Sequence, residues 1–173
     1  EYGGAATYVA EHAPDGRFPV DFAGRLAAAG LVAPHWPRPW GLDAGPLQQL
    51  AVDAELRSAR APRPFNPIGI GWAGPTLLVA GSPEQQQRWI PGILDGSEIW
   101  CQLFSEPGAG SDLASLATRA TRDGDEWVVH GQKVWTTFAH IARWGILLAR
   151  TDPDAEAHQG VSYFVLDMTS PGI

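Results

Sequence analysis

The sequence contains one cysteine, one lysine and no run of basic residues. A single thiol, Cys101, excludes an internal disulfide and any metal site built from several cysteines. Lys133 is the one lysine among twelve basic residues, and the formal net charge is −7. Without a basic stripe, nucleic acid is not expected as a partner.

Long apolar runs are also missing. None approaches the ~20 residues that a membrane-spanning helix needs, and no signal peptide is visible. We therefore expect a cytoplasmic protein without a membrane span. The chain begins at Glu1 instead of Met and stops at Ile173 inside a predicted loop, so we expect both ends to be truncated.

The histidines and the cysteine carry no recognisable metal or nucleophile pattern. None of the histidines has the H-x-x-x-H or H-E-x-x-H spacing, so we predict no metal site. Cys101 lies among apolar residues and is predicted to be part of a core. The five histidines are His12, His35, His130, His140 and His158.

Residues 1–98 are predicted to form an α-helical N-terminal domain. Asp21 can cap a short helix with Phe22 and Leu26 on one face, and Gly30 can end it. A longer helix is predicted over 44–60. Its apolar face comprises Leu47, Leu50, Ala51 and Ala54, with Asp53 and Arg57 paired on the solvent side.

Another helix is predicted to begin at Ser82. Ser82 can act as the N-cap, Pro83 occupies the first helical position and Gln85 can complete a capping box. Because proline interrupts helices, we expect this helix to end near Ile90, at Pro91-Gly92.

Residues 99–173 are predicted to form a β middle domain. From Ile99 the residues alternate as in a strand: Ile99, Cys101 and Leu103 lie on one face, and Trp100, Gln102 and Phe104 on the other. Asp123-Gly124-Asp125 is typical of a hairpin turn. Strands are predicted at 144–150 and 161–167. The fold class is therefore α+β: an all-α N-terminal part followed by a small antiparallel, β-barrel-like domain.

A glycine-rich loop, FSEPGAGSD, directly follows the first predicted strand. Gly108 and Gly110 would let the backbone approach a ligand, and Ser111-Asp112 would begin a short helix through Leu116. An ordinary glycine turn with a helix cap fits the same residues. The loop matches neither a dinucleotide-binding fingerprint nor a P-loop nor a nucleophile elbow.

A second segment, GQKVWTT, is predicted to be a strand. On a strand, Trp135 and Thr137 would share one face and Thr136 would point away. An indole beside a hydroxyl could cover a flat heteroaromatic ring, although Trp and Thr are also common in ordinary strands.

Taken together, these segments resemble the acyl-CoA dehydrogenase family. The runs WCQLFSEPGAGSDLASLATRA, DGDEWVVHGQKVWTT, LLARTD and FVLDMTSPGI follow the order and spacing of that family's middle domain. The upstream run GSPEQQQRWIPGILDGSEIW is similar to the family's last helix before it. The resemblance covers most of the chain and is strongest from about residue 66.

The resemblance implies FAD as cofactor and an acyl-CoA thioester as substrate, within lipid degradation. In the family, a glutamate removes the α-proton while the β-hydrogen leaves as hydride to flavin N5, so the protein mainly positions the two reacting bonds. It also implies an electron-transfer flavoprotein-type acceptor and further subunits of the same family.

Site residues follow from the same resemblance. Ser111 would also contact the acyl-CoA, and Lys133 is expected to hold the turn. Ser105 stands where many members have Thr, and Thr136 where Ile is usual. The expected cofactor contacts are Gln102, Phe104, Ser105, Gly110, Ser111, Trp135, Thr136 and Thr137.

The family's C-terminal helical domain, which carries the usual catalytic glutamate, is missing from the sequence. We therefore assign no catalytic residue in this chain and expect residues 1–173 alone to be inactive. Two alternatives remain: a non-catalytic flavin-holding subunit or decayed paralogue, and a flavin oxidase on the same fold.

Overall fold

The computed structural model describes residues 4–13 and 18–173. The chain divides into two compact units, Glu1–Glu98 and Ile99–Ile173. The first unit is helical, and the second is built on one β-sheet. The helical part followed by a sheet domain confirms the predicted fold class.

The first unit contains five α-helices and one short π-helix among its described residues. The π-helix, Gly69–Ala73, runs directly into the fourth α-helix. The α-helices are α1 Gly4–His12, α2 Phe22–Ala28, α3 Pro46–Ser58, α4 Gly74–Ala80 and α5 Pro83–Asp95.

The core of the first unit lies where α1, α2 and α3 meet. Phe22 and Leu26 are buried, as the helical spacing predicted. They pack in one cluster with Val52 and Leu56 of α3 and with Ala5 of α1. Burial of such side chains is the main favourable contribution to folding.

The predicted apolar face of α3 is wrong. Leu47 is 82% exposed and Leu50 is 64% exposed, whereas Val52 and Leu56 are buried. The helix carries two apolar stripes, and the packing of α1 and α2 decides which of them is covered. Asp53 accepts a hydrogen bond from Arg63 at 2.6 Å instead of pairing with Arg57.

The start of α5 is as predicted, but its end is not. The Ser82 hydroxyl accepts from the Gln85 N–H at 3.3 Å, and the Gln85 side chain accepts from the Ser82 N–H at 2.8 Å. The helix continues through Pro91 and ends at Gly96, which has φ +75°. Buried residues continue past the proline, and their packing offsets the one backbone hydrogen bond that proline removes.

Two glycines allow close packing around the π-helix. A Cβ at Gly69 would lie 2.6 Å from the Asn66 amide nitrogen, and a Cβ at Gly74 would overlap the ring of Trp36. Asn66 is itself buried and donates to the carbonyls of Ile93, at 3.2 Å, and Glu98, at 2.9 Å.

The second unit contains five strands: β1 Trp100–Leu103, β2 Arg119–Asp123, β3 Glu126–His130, β4 Trp144–Arg150 and β5 Val161–Asp167. The pairing order is β1-β4-β2-β3, with β5 also on β4. The predicted hairpin is present, with Gly124 at φ +60° between β2 and β3.

The sheet is mixed where the sequence predicted an antiparallel one. β4 is antiparallel to β5 along its whole length but parallel to β1, from Trp100↔Trp144 to Leu103↔Leu147. The long connection from β1 to β4 makes a parallel return possible. Within the described residues, the strand pairings do not close into a barrel.

The core of the second unit contains Cys101, Leu103, Leu147 and Ala149. Burial raises the pKa of the Cys101 thiol to about 11. A thiol with so high a pKa is a poor nucleophile. The prediction that Cys101 belongs to the core is therefore confirmed.

Two features are absent from the residues that the structure describes. No helix there is long and apolar enough to cross a membrane. Among the same residues, no three His, Cys, Asp or Glu side chains are grouped so that they could hold a metal ion.

The packing around the π-helix predicts that alanine destabilises the protein at one glycine and is tolerated at another. Gly74→Ala should lower the free energy of unfolding by about 1–3 kcal/mol, because the added methyl group meets the buried Trp36 ring. Gly71→Ala, the matched control, should change it by less than about 1 kcal/mol, since nothing lies within 4 Å of its Cβ position. Denaturant unfolding measures both, and equal destabilisation would contradict the close packing.

Candidate functional site

The glycine-rich loop after β1 is closed by a tight turn. The Glu106 N–H donates to the Ala109 carbonyl at 2.8 Å, and the Ala109 N–H donates back to the Glu106 carbonyl at 3.2 Å. Pro107 and Gly108 form the exposed tip. The turn therefore has a defined backbone conformation before any ligand is considered.

The carboxylate of Glu106 joins three separate parts of the second unit. It accepts from the N–H groups of Ala117, at 2.7 Å, and Thr118, at 2.9 Å. It also accepts from the Lys133 ammonium at 2.8 Å, and that ammonium donates to the Phe104 carbonyl at 3.0 Å. The side chains of Glu106 and Lys133 are each only 7% exposed.

The pKa of Glu106 reflects this environment. Burial by itself would raise it, but the hydrogen bonds from Lys133 and from the two backbone N–H groups lower the pKa to about 2. Each of these donors stabilises the ionised form. Glu106 is therefore a carboxylate at every working pH, and its contact with Lys133 agrees with the expectation that Lys133 holds the turn.

The second candidate segment, GQKVWTT, was predicted to be a strand but is not one. β3 ends at His130, and the backbone then becomes irregular, with φ +58° at Trp135 and +67° at Phe138. Left-handed residues break the alternation of faces that the prediction assumed. The predicted strand, on which Trp135 and Thr137 were expected to share a face, is therefore wrong.

Tertiary contacts explain the irregular backbone. A Cβ at Gly131 would lie 2.6 Å from the Thr118 Cβ, so the chain leaves β3 in close contact with the start of β2. Lys133 is held by Glu106, and the Val134 N–H donates to the Ser105 carbonyl at 2.9 Å. These contacts draw residues 131–134 away from a strand ladder and onto residues 104–106.

The helix predicted to begin at Ser111 is one short 3-10 turn, Leu113–Ser115. Asp112 precedes it but makes no capping hydrogen bond through its side chain; the Ser115 hydroxyl donates to the Asp112 carbonyl at 2.8 Å. A single 3-10 turn supplies little of the dipole that the sequence argument relied on. Asp112 therefore lies at the start of a 3-10 turn, not of an α-helix, and its side chain does not cap it.

The structure brings some predicted site residues together and leaves others apart. Ser105 is linked to Val134 beside Trp135, whereas Ser111 and Thr137 share no hydrogen bond in the described part of the chain. Trp135 is 91% exposed. By burial the predicted residues divide into half-buried Gln102, Phe104, Ser105 and Thr136, and exposed Gly110, Ser111, Trp135 and Thr137.

Gly108 and Gly110 are not required by the chain's own packing. Neither has a positive φ, and a Cβ at either position would meet no atom of the chain within 4 Å. Glycine at both positions is therefore compatible with close backbone approach by a cofactor. The exposed Trp135 ring offers a flat apolar surface, so each of the two features by itself is compatible with a large, flat group such as a flavin.

Sequence reasoning missed Arg150 as a residue of this site. Its guanidinium donates to the Ala114 carbonyl at 2.6 Å, and its N–H donates to the Thr118 carbonyl at 2.8 Å. Arg150 thereby ties residues 114–118, which follow the glycine-rich loop, to β4. Its place at the end of the LLAR strand next to a turn was the only signal in the sequence.

The low pKa predicts how stability depends on pH. A carboxylate whose pKa is lowered on folding stabilises the protein above its ordinary pKa of 4.5 and loses that contribution as the pH falls towards 2. The difference in unfolding free energy between wild type and Glu106→Gln should thus be constant above about pH 5.5 and shrink between about pH 4.5 and 3. Exposed Glu126→Gln is the control, and a difference that grows on acidification would contradict the assignment.

Profiles of a known family match both units. The acyl-CoA dehydrogenase N-terminal domain matches residues 4–97, and the acyl-CoA dehydrogenase middle domain matches residues 101–173. Acyl-CoA dehydrogenase FadE34 of Mycobacterium tuberculosis (strain H37Rv) is 58% identical over 148 residues, which are 86% of this chain and 21% of the relative.

Solved structures agree. The Tcur3481-Tcur3483 steroid ACAD is 33% identical with a TM-score of 0.75, covering 99% of this chain and 47% of that chain. A chain of the ChsE4-ChsE5 complex from Mycobacterium tuberculosis is 33% identical with a TM-score of 0.74, also over 99% and 47%. This chain thus spans between a fifth and about half the length of these relatives. The resemblance read from the sequence is confirmed: the chain belongs to the acyl-CoA dehydrogenase family.

Proposed function

We propose that this chain supplies the flavin-contacting part, and some of the acyl-CoA contacts, of an enzyme that catalyses FAD-dependent α,β-dehydrogenation of an acyl-CoA thioester. The observation that carries the proposal is the linkage of residues 104–106 to residues 133–134, beside an exposed Trp135. Family membership supports the reaction class.

The cofactor contacts are proposed from the residues that remain accessible beside this linkage. Trp135 would cover the flavin ring, since a tryptophan so exposed leaves a large apolar surface in water. Ser105 and Thr137 offer hydroxyl groups to the polar edge of the ring. Gly110 would allow close backbone approach, and Ser111 would contact the acyl-CoA. When bound, FAD would accept the hydrogen that leaves the β-carbon as hydride.

No carboxylate of this chain is assigned as the base. Glu106 is a poor candidate because its pKa of about 2 is far from a working pH. Glu98 is engaged by Arg88 through two hydrogen bonds, of 3.1 and 3.2 Å. We therefore propose that the base lies in another part of the whole protein and that residues 1–173 alone show no acyl-CoA-dependent reduction.

The partners that we propose follow from the family and from a related complex. The chain covers 47% of a subunit in the ChsE4-ChsE5 complex of Mycobacterium tuberculosis. We propose that this protein also works with further subunits of its family and passes electrons to an electron-transfer flavoprotein-type acceptor.

The whole protein, with any partner subunit, should be isolated yellow and should release FAD and not FMN on heating. It should reduce an electron acceptor only when an acyl-CoA is supplied. A yellow protein that no acyl-CoA reduces would instead favour a flavin-holding subunit, and rapid peroxide formation in air would favour an oxidase. A colourless, folded protein that takes up no added FAD would refute the proposal.

Two substitutions test the flavin contacts in the whole protein. Thr137→Val removes one neutral hydrogen bond, worth about 0.5–1.5 kcal/mol, so FAD affinity should fall by up to about tenfold. Trp135→Ala should lower it further, because the ring face is also uncovered. The control is Trp127→Ala on β3, a tryptophan 44% exposed whose ring contacts Phe164. Titration with FAD measures all three, and equal affinities would contradict the assignment of Trp135.

A further inference from the structure

Residues 104–106, at the start of the glycine-rich loop, each provide one hydrogen-bond acceptor. The donors are two consecutive residues, Lys133 and Val134. The Phe104 carbonyl and the Glu106 carboxylate accept from the Lys133 ammonium, at 3.0 and 2.8 Å. The Ser105 carbonyl accepts from the Val134 N–H at 2.9 Å. Three hydrogen bonds thus set the register between segments nearly thirty residues apart in sequence.

The linkage ends where the exposed residues begin. Trp135 follows Val134 directly, is 91% exposed and has a left-handed φ of +58°. Its side chain gains little support from packing within the chain, so its position depends on the backbone on either side of it. On the N-terminal side, Lys133 and Val134 are the residues that fix this backbone.

An ion pair is a costly way to join two segments if only stability matters. Burying both charges requires that hydrogen bonds replace their hydration, and well-packed apolar residues often serve stability equally well. What the ammonium adds is direction: it donates to two oxygens at once from one atom. Lys133 is also the only lysine in a chain that otherwise uses arginine.

We propose that Glu106 and Lys133 are a positioning pair, which holds Trp135–Thr137 in the place where the flavin ring is bound. This inference rests on the proposed FAD-binding function for its ligand, but not for the positioning itself. The pair acts through the backbone of residues 133–134 and touches no reacting atom.

The test separates positioning from flavin binding. In the whole protein without FAD, Lys133→Met should speed hydrogen exchange in peptides covering 132–138 by about tenfold or more, since two charge-assisted hydrogen bonds are lost. Exchange in β4 and β5 should stay unchanged. Unchanged exchange in 132–138, or an equal rise throughout the second unit, would overturn the proposal, whether or not wild type binds FAD.

FAD titration then tests the link to the ligand. Lys133→Met should raise the Kd for FAD by about tenfold or more and alter the spectrum of the bound flavin. Lys133→Arg, which keeps the charge but not the same geometry, should recover part of the affinity. If the methionine variant does not fold, Lys133→Arg and Glu106→Gln should still show intermediate changes in exchange and Kd, and wild-type values for both would overturn the proposal.

The matched control is Glu98→Gln, which removes a carboxylate held by Arg88 in the helical unit. It should leave both the exchange of 132–138 and the Kd for FAD unchanged, even if the melting temperature falls. The inference would be overturned if FAD affinity fell in proportion to the melting temperature in both Glu106→Gln and Glu98→Gln. In that case Glu106 and Lys133 would only stabilise the fold. If wild type itself binds no FAD, the proposed function fails while the exchange measurement still decides the positioning.

Discussion

The buried carboxylate of Glu106 is the interaction on which the arrangement of the site depends. A charge removed from water is tolerated only where donors replace its hydration. Here two backbone N–H groups and the Lys133 ammonium do so. Because these donors come from different segments, satisfying one carboxylate also fixes three stretches of chain against each other. The resulting low pKa, about 2, makes Glu106 structural and removes it from acid–base chemistry.

Strand β4 gives this arrangement its support. β1 pairs with β4 up to Leu103↔Leu147, and the following segment returns to β4 where the Thr118 carbonyl accepts from the Arg150 N–H at 2.8 Å. Arg150 also holds the Ala114 carbonyl between these points. The glycine-rich loop therefore leaves β1, which is paired with β4, and the residues that follow the loop are bonded to β4 again, so both ends of the loop are anchored to one sheet. A loop anchored in this way can place ligand contacts with little loss of conformational entropy on binding.

The helical unit shows how packing overrides local pattern. The helical spacing of Leu47 and Leu50 in α3 indicated a buried face, yet both are exposed, and Val52 and Leu56 lie in the core instead. The helix itself was predictable, because its period is local. Its orientation was not, because two apolar stripes compete and only the neighbouring helices decide between them. Pro91 is a similar case: its effect on α5 depends on the buried residues that follow it.

The sequence by itself determined the elements whose causes are local, together with the family. The capping box at 82–85 and the hairpin at Gly124 need only neighbouring residues, and both are present. Only the tertiary structure decided the conformation around Trp135, which the sequence predicted as a strand. Glu106 and Lys133 are 27 residues apart, and no periodic pattern reports a hydrogen bond across that distance. Propensity acts on neighbours along the chain, whereas a buried charge selects its partners in space.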